Sequence, residues 1–187
     1  MLRFSLWFLL VLSFAAGCST VQVKNEFNPK TDFSLLKTYS WLKSNENHGD
    51  DVRINNEFVI KTIRAAVEKD LKDKGFTHLE NGQGDFVISW FGAIEQKINA
   101  ESIKHFYAPY GYGALYRDPY WNSEPTKMNV SEYEQGTLIF DFLDPKNQAL
   151  LWRGIGRDRL KEDQSESQVK YNINAAVTQI LAGFPPP

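Results

Sequence analysis

The chain has 187 residues, a net charge of −2 at pH 7, 14% aromatic residues and a single cysteine. The near-neutral balance gives no basic footprint for nucleic acid, and a lone cysteine rules out an internal disulfide. The length suits one domain with a sizeable core, which has to be held by packing, with aromatic side chains burying the most area per residue.

The first element is a leader. Met1-Leu2-Arg3 is a short positive start, Phe4 to Phe14 is apolar apart from Ser5 and Ser13, and Ala15-Ala16-Gly17 precedes Cys18. The apolar run is too short for a bilayer span of ~20 residues, and the pattern predicts a secretory signal over residues 1–17. The Cys18 context resembles the lipobox of bacterial lipoproteins, with Ala15 standing where Leu is usual. The resemblance implies removal of residues 1–17, lipidation of the Cys18 thiol and acylation of the new amino terminus with a palmitate-class chain. Ser19 stands where an inner-membrane retention signal would place Asp, so the resemblance implies an outer-membrane anchor with the domain on the periplasmic face. Each buried methylene contributes ~0.8 kcal/mol, and more than one chain anchors stably.

Residues 18–28 then read as anchor and first strand, with Val21, Val23 and Phe27 on one side. Asn28-Pro29-Lys30 signals a turn, and Lys37 to Leu42 is rich in strand formers, so the two segments suggest a hairpin or an edge pair. Polar residues 43–51 form a loop. A helix is predicted from about Arg53 to Lys74, because Val59, Ile63, Ala66, Val67 and Leu71 recur at helical spacing and Gly75 is a natural stop. Asp85 to Ile94 alternates as a strand. Gly136 to Leu143 and Leu150 to Gly156 form a predicted hairpin. Setting Asp141 opposite Arg153 pairs Phe142 with Trp152, Ile139 with Ile155 and Leu143 with Leu151, so every cross-strand pair is complementary. A last helix runs from about Glu166 to Ala182, with Val169, Ile173, Ala176, Val177, Ile180 and Leu181 as its stripe, a Ser165–Gln168 capping box and Gly183 and Pro185 as its end. The expected architecture is α+β: an antiparallel sheet of four to six strands with two amphipathic helices on one face, forming a single domain over residues 29–187.

The ordered set Phe27-Asn28-Pro29, Asp32-Phe33, Lys37-Thr38-Tyr39-Ser40-Trp41, Lys74-Gly75-Phe76, Asp85-Phe86-Val87-Ile88, Gly136 to Asp141, Leu151-Trp152-Arg153-Gly154 and Phe184-Pro185-Pro186 resembles the domain-of-unknown-function 4136 family of bacterial lipoproteins. The resemblance covers nearly the whole mature chain. It implies a fold and a location, and no activity.

The Trp152-Arg153-Gly154 motif is the sharpest local signal. Arg153 could clamp a carboxylate or phosphate; the structural reading instead pairs it with Asp141, puts Trp152 in the core and uses Gly154 for close backbone approach, and is the one favoured. An aromatic-rich loop spans residues 99–132. Within it Phe106, Tyr107, Tyr110, Tyr112, Tyr116, Tyr120 and Trp121 interleave with glycine and proline, a composition suited to binding a protein or a glycan. With the sheet face left bare by the helices, this loop is the expected contact surface. No catalytic residue, cofactor or metal is expected: His48, His78 and His105 lack ligand spacing, and no nucleophile elbow or phosphate loop occurs. The expected role is a non-enzymatic binding or assembly module on the membrane through Cys18. The alternative, a hydrolase acting on envelope glycans or lipids, would draw on Asp141, Asp144, Glu132 and Glu134.

Overall fold

In the computed structural model, which describes residues 21–43, 48–81, 83–94, 134–160 and 163–187, one sheet is built from β1 (Gln22–Phe27), β2 (Thr38–Trp41), β3 (Thr77–His78), β4 (Phe86–Ile94), β5 (Gln135–Leu143) and β6 (Leu150–Arg159). The strand order is β1-β6-β5-β4-β2-β3. Helices α1 (Glu57–Asp73) and α2 (Glu166–Leu181) pack against each other and share a core with the Phe86, Ile88, Trp90, Phe140, Phe142 and Trp152 side of the sheet.

The α+β class is as expected, but the sheet is mixed. β1, β6, β5 and β4 pair antiparallel, whereas β2 runs parallel to both β4 and β3. The cause lies in the connection. After β2 the chain crosses the sheet as α1 and returns to the starting end of β2, so the next strands leave from that end and run parallel. The expected pairing of the first two strands is also overturned. β1 caps one edge on β6, and β2 lies near the other edge on β4, because β6, β5 and β4 fill the space between. As an edge strand β1 leaves Val23 37% and Phe27 46% exposed.

Local chemistry explains the helix ends. Asn56 caps α1 by accepting from Val59 N at 2.9 Å. Its other end is a Schellman turn: Gly75, at φ 88°, donates to Lys72 O, and Phe76 N donates to Leu71 O, both at 2.9 Å. The predicted capping box at Ser165 and Gln168 forms. The predicted hairpin holds with Asp141 opposite Arg153, Phe142 opposite Trp152 and Ile139 opposite Ile155. A bulge at its closed end sets Leu143 opposite Leu150, not Leu151.

Both sheet faces are filled along β4–β6. Away from the helices, Ser89, Phe91, Ile139, Asp141, Arg153 and Ile155 are each at least nine-tenths buried. The face expected to be bare for partners is therefore not available at its centre. Such double-sided burial matches the continuous apolar run of β4.

Candidate functional site

The register brings Ser89 of β4, Asp141 of β5, Arg153 of β6 and Glu26 of β1 into one polar row across four strands. At its centre Arg153 Nε donates to Asp141 Oδ1 at 2.6 Å and Nη2 donates to Oδ2 at 2.9 Å. The two residues are 1% and 0% exposed. Paired, charge-assisted bonds of this geometry are strong and directional. They occupy the guanidinium fork that an external anion would need, so Arg153 is a sheet residue here. Trp152 faces the other way into the core and donates from Nε1 to Gly183 O at 3.1 Å. A Cβ on Gly154 would collide with the Trp152 ring and with Ile180 of α2, so the absent side chain lets helix and strand approach. The structural reading of this motif holds.

A second site lies where β2 separates from β4. Leu42 N still donates to Ile88 O at 2.8 Å, and further along the same edge Gly92 N donates to His48 O at 2.7 Å. Between these two points is a solvent-open cleft of about 840 Å³. His48 is fixed there by its backbone N–H on Asn55 Oδ1 at 2.7 Å, and its ring stacks on Trp90 at 3.9 Å. Trp41 is fixed by its Nε1 donating to Glu68 Oε1 at 2.9 Å, and the Arg64 guanidinium lies 4.8 Å over its ring, within cation–π range. On the far side His78 stacks on Tyr39 at 5.2 Å, and burial, with Glu68 adding to it, pushes the Tyr39 hydroxyl pKa up. One wall residue breaks the rule that buried polar groups are paired. Trp90 is 1% exposed, yet its Nε1 has no hydrogen-bond partner among the described residues. An unmet buried donor costs about 1–3 kcal/mol.

Sequence reasoning missed this cleft, because Trp41, Arg64 and Trp90 come from three elements and each reads as an ordinary core or surface residue. The available signal was Arg64, spaced for a helical contact with Glu68. In the fold Glu68 turns to Trp41 instead.

The family model for a domain of unknown function, DUF4136, matches residues 23–186. The chain belongs to the DUF4136 family. The match takes in every described strand and helix except the first residue of β1. No curated protein matches the chain. Among solved structures this DUF4136 protein is similar to a PDZ domain protein from Parabacteroides distasonis, at 14% identity and a TM-score of 0.55, with 89% of this chain and 36% of that one covered. It is also similar to a DUF4136 family protein from Bacteroides thetaiotaomicron, at 12% identity and a TM-score of 0.48, covering 88% and 96%. A third similarity is to the PelC dodecamer from Paraburkholderia phytofirmans, at 11% identity and a TM-score of 0.45, covering 87% and 95%. At these identities the first speaks to the fold alone.

The DUF4136 chain disperses the carboxylates considered for hydrolysis. Asp141 is committed to Arg153 inside the sheet. Asp144 sits at the hairpin turn, its Oδ1 accepting from Lys146 N at 2.7 Å, the turn role its position before Pro145 suggests. Glu134 accepts from Arg53 Nη1 at 2.6 Å, and that hydrogen bond, reinforced by the Arg53 charge, holds its carboxyl below the usual range. A general acid needs the opposite shift. Glu132 lies outside the described residues, as do Cys18, His105 and the seven aromatic residues from Phe106 to Trp121. Among the described residues no group of three His, Cys, Asp or Glu side chains could hold a metal ion, and no helix is long and apolar enough to cross a membrane.

Proposed function

We propose that this DUF4136 protein is an outer-membrane lipoprotein that acts by binding on the periplasmic side, tethered through lipidated Cys18. The observation that carries this reading is a spacing. β1, the edge strand of the sheet, begins at Gln22, four residues after Cys18. At ~3.3–3.6 Å per extended residue, the anchor keeps that end of the sheet within ~14 Å of the acylated cysteine. A tether so short holds a folded domain against a surface. The binding half of the proposal is supported by the use of Asp141, Arg153, Asp144 and Glu134 in structural contacts.

The same geometry supports a contact surface in the aromatic-rich segment. Gln22 pairs with Arg157, Arg157 with Thr137, and Thr137 with Ala93. Ile94 and Gln135, from which residues 95–134 depart and to which they return, therefore share an end of the sheet with the anchor. Tyrosine and tryptophan in that segment would meet a partner protein or a glycan beside the membrane.

Two experiments test the proposal. Metabolic labelling with a palmitate analogue followed by membrane fractionation should label the native protein and recover it with outer membranes, while Cys18→Ala abolishes both. An unlabelled native protein refutes the anchor. In-cell photo-crosslinking from Tyr112 and Trp121 should give a dominant adduct that disappears when the segment is shortened; an unchanged partner profile refutes the contact surface.

A further inference from the structure

We infer that the outer edge of β1 is an interface for a second copy of this chain, the two β1 strands pairing antiparallel about a two-fold axis through Asn25. This goes beyond the anchor and the aromatic segment, and uses neither.

β1 ends the strand order, and no strand among the described residues pairs with its outer side. Five of its six residues are exposed. An edge of this kind offers a ladder of main-chain groups to another strand. Which groups point outward follows from one bond. Asn28 N donates to Leu151 O at 2.9 Å, and that pair continues the β1–β6 register, in which Phe27 faces Trp152. Hydrogen-bonded pairs alternate along an antiparallel ladder. Gln22, Lys24 and Glu26 therefore turn their N–H and C=O groups to β6, and Val23, Asn25 and Phe27 turn theirs outward. Proline and bulges, which blunt edges elsewhere, are both missing from β1, whose pairing with β6 is continuous.

The side chains select the partner and the register. Three two-fold registers overlap most of β1, centred on residues 24, 25 and 26. The first sets Lys24 against the partner's Lys24, and the last sets Glu26 against the partner's Glu26. Like charges directly opposite are destabilising. Centring on Asn25 sets Lys24 against the partner's Glu26 and Glu26 against the partner's Lys24. Lys24 Nζ already lies 3.6 Å from Glu26 Oε1 in its own strand, so the pairing completes a square of alternating charge. The same register sets Val23, 37% exposed, against the partner's Phe27, 46% exposed in its own copy, and covers both. Only a strand with this pattern meets all of these positions, and β1 itself has it. The interface is isologous, so it closes at a dimer.

The test uses the full chain in detergent micelles. Sedimentation should show a dimer for the native protein. Val23→Pro removes an outward N–H and none that β6 uses; it should give a monomer with unchanged near-ultraviolet circular dichroism. Lys24→Glu, at a half-exposed side chain, sets like charges opposite twice and should weaken the dimer about tenfold. Cysteine pairing reads the register. Lys24→Cys and Glu26→Cys chains, each also carrying Cys18→Ala, should form a mixed disulfide when combined, because facing residues at that position have Cα atoms about 4.5 Å apart. Either chain alone should not, since its cysteines lie about 7–8 Å apart on the diagonal. A native chain that is monomeric at high concentration overturns the inference. So does a dimer that persists in both Val23→Pro and Lys24→Glu, or cross-linking as strong in the single chains as in the mixture.

Discussion

Removing the guanidinium of Arg153 takes two charge-assisted hydrogen bonds from a carboxylate in the middle of the sheet. Arg153→Met keeps most of the side-chain volume and deletes two hydrogen bonds, at 2.6 and 2.9 Å, to an Asp141 that is 0% exposed. A hydrogen bond to a charged group contributes about 1.5–3 kcal/mol, so two contribute about 3–6 kcal/mol. Breaking one partner of a buried pair typically costs about 3–5 kcal/mol, in agreement. For a domain of this size each kcal/mol lowers Tm by about 2–4 °C, so the variant should melt roughly 6–20 °C below wild type. Replacing both partners, Asp141→Leu with Arg153→Met, removes the buried carboxylate together with its desolvation cost and should recover most of the loss. Urea unfolding of wild type, both single variants and the double variant gives the coupling directly. The reasoning fails if Arg153→Met lies within about 1 kcal/mol of wild type, or if the double variant is as unstable as the summed singles.

Phe184 is 2% exposed and meets the rings of Phe33, Phe76, Phe86, Phe142 and Trp152 within 6 Å. Phe184→Ala should therefore cost about 3–5 kcal/mol in urea unfolding, and a loss below 1 kcal/mol would deny it a central place in the core. Gly154→Val should cost about 1–3 kcal/mol by pushing Ile180 and α2 off the sheet; an unchanged Tm and unchanged near-ultraviolet circular dichroism would contradict the close approach. Asp85 Oδ2 accepts from Lys37 N, Thr38 N and Thr38 Oγ1 at 2.8–2.9 Å, and these bonds hold its carboxyl below the usual aspartate value. Because the folded value is the lower one, its contribution is complete above the unfolded value of about 3.9 and is lost as pH falls through the folded value. Asp85→Asn should cost about 1 kcal/mol at neutral pH, solvent exposure limiting the loss. The gap to wild type should close in acid, and a gap constant from pH 7 to pH 2 would refute the assignment.

Arg64 and Glu68 show why the cleft could not be read from the chain. Four residues apart on α1, they look like an exposed ion pair, yet in the fold each is drawn to a different part of Trp41, one to the ring face and one to the indole N–H. Trp90 reads as a core tryptophan, and its burial is correct. That its N–H lacks an acceptor among the described residues depends on which chain runs beside β4 at that point. The Asp141–Arg153 pair was legible because only one register of an adjacent hairpin makes every facing pair complementary.

What the sequence determined by itself is local. The stripes of α1 and α2, the helix stop at Gly75, the capping box at Ser165 and the β5–β6 register up to the bulge at Leu143 all follow from residues within a few turns or one hairpin of each other, where few alternatives compete. The tertiary structure alone decided that β1 pairs with β6, that β2 runs parallel to β4, that Phe184 closes the aromatic core and that a cleft opens beside Trp90. Those choices join segments far apart in the chain whose local patterns fit several partners equally well. They are settled by which arrangement buries both faces of β4, β5 and β6 at once.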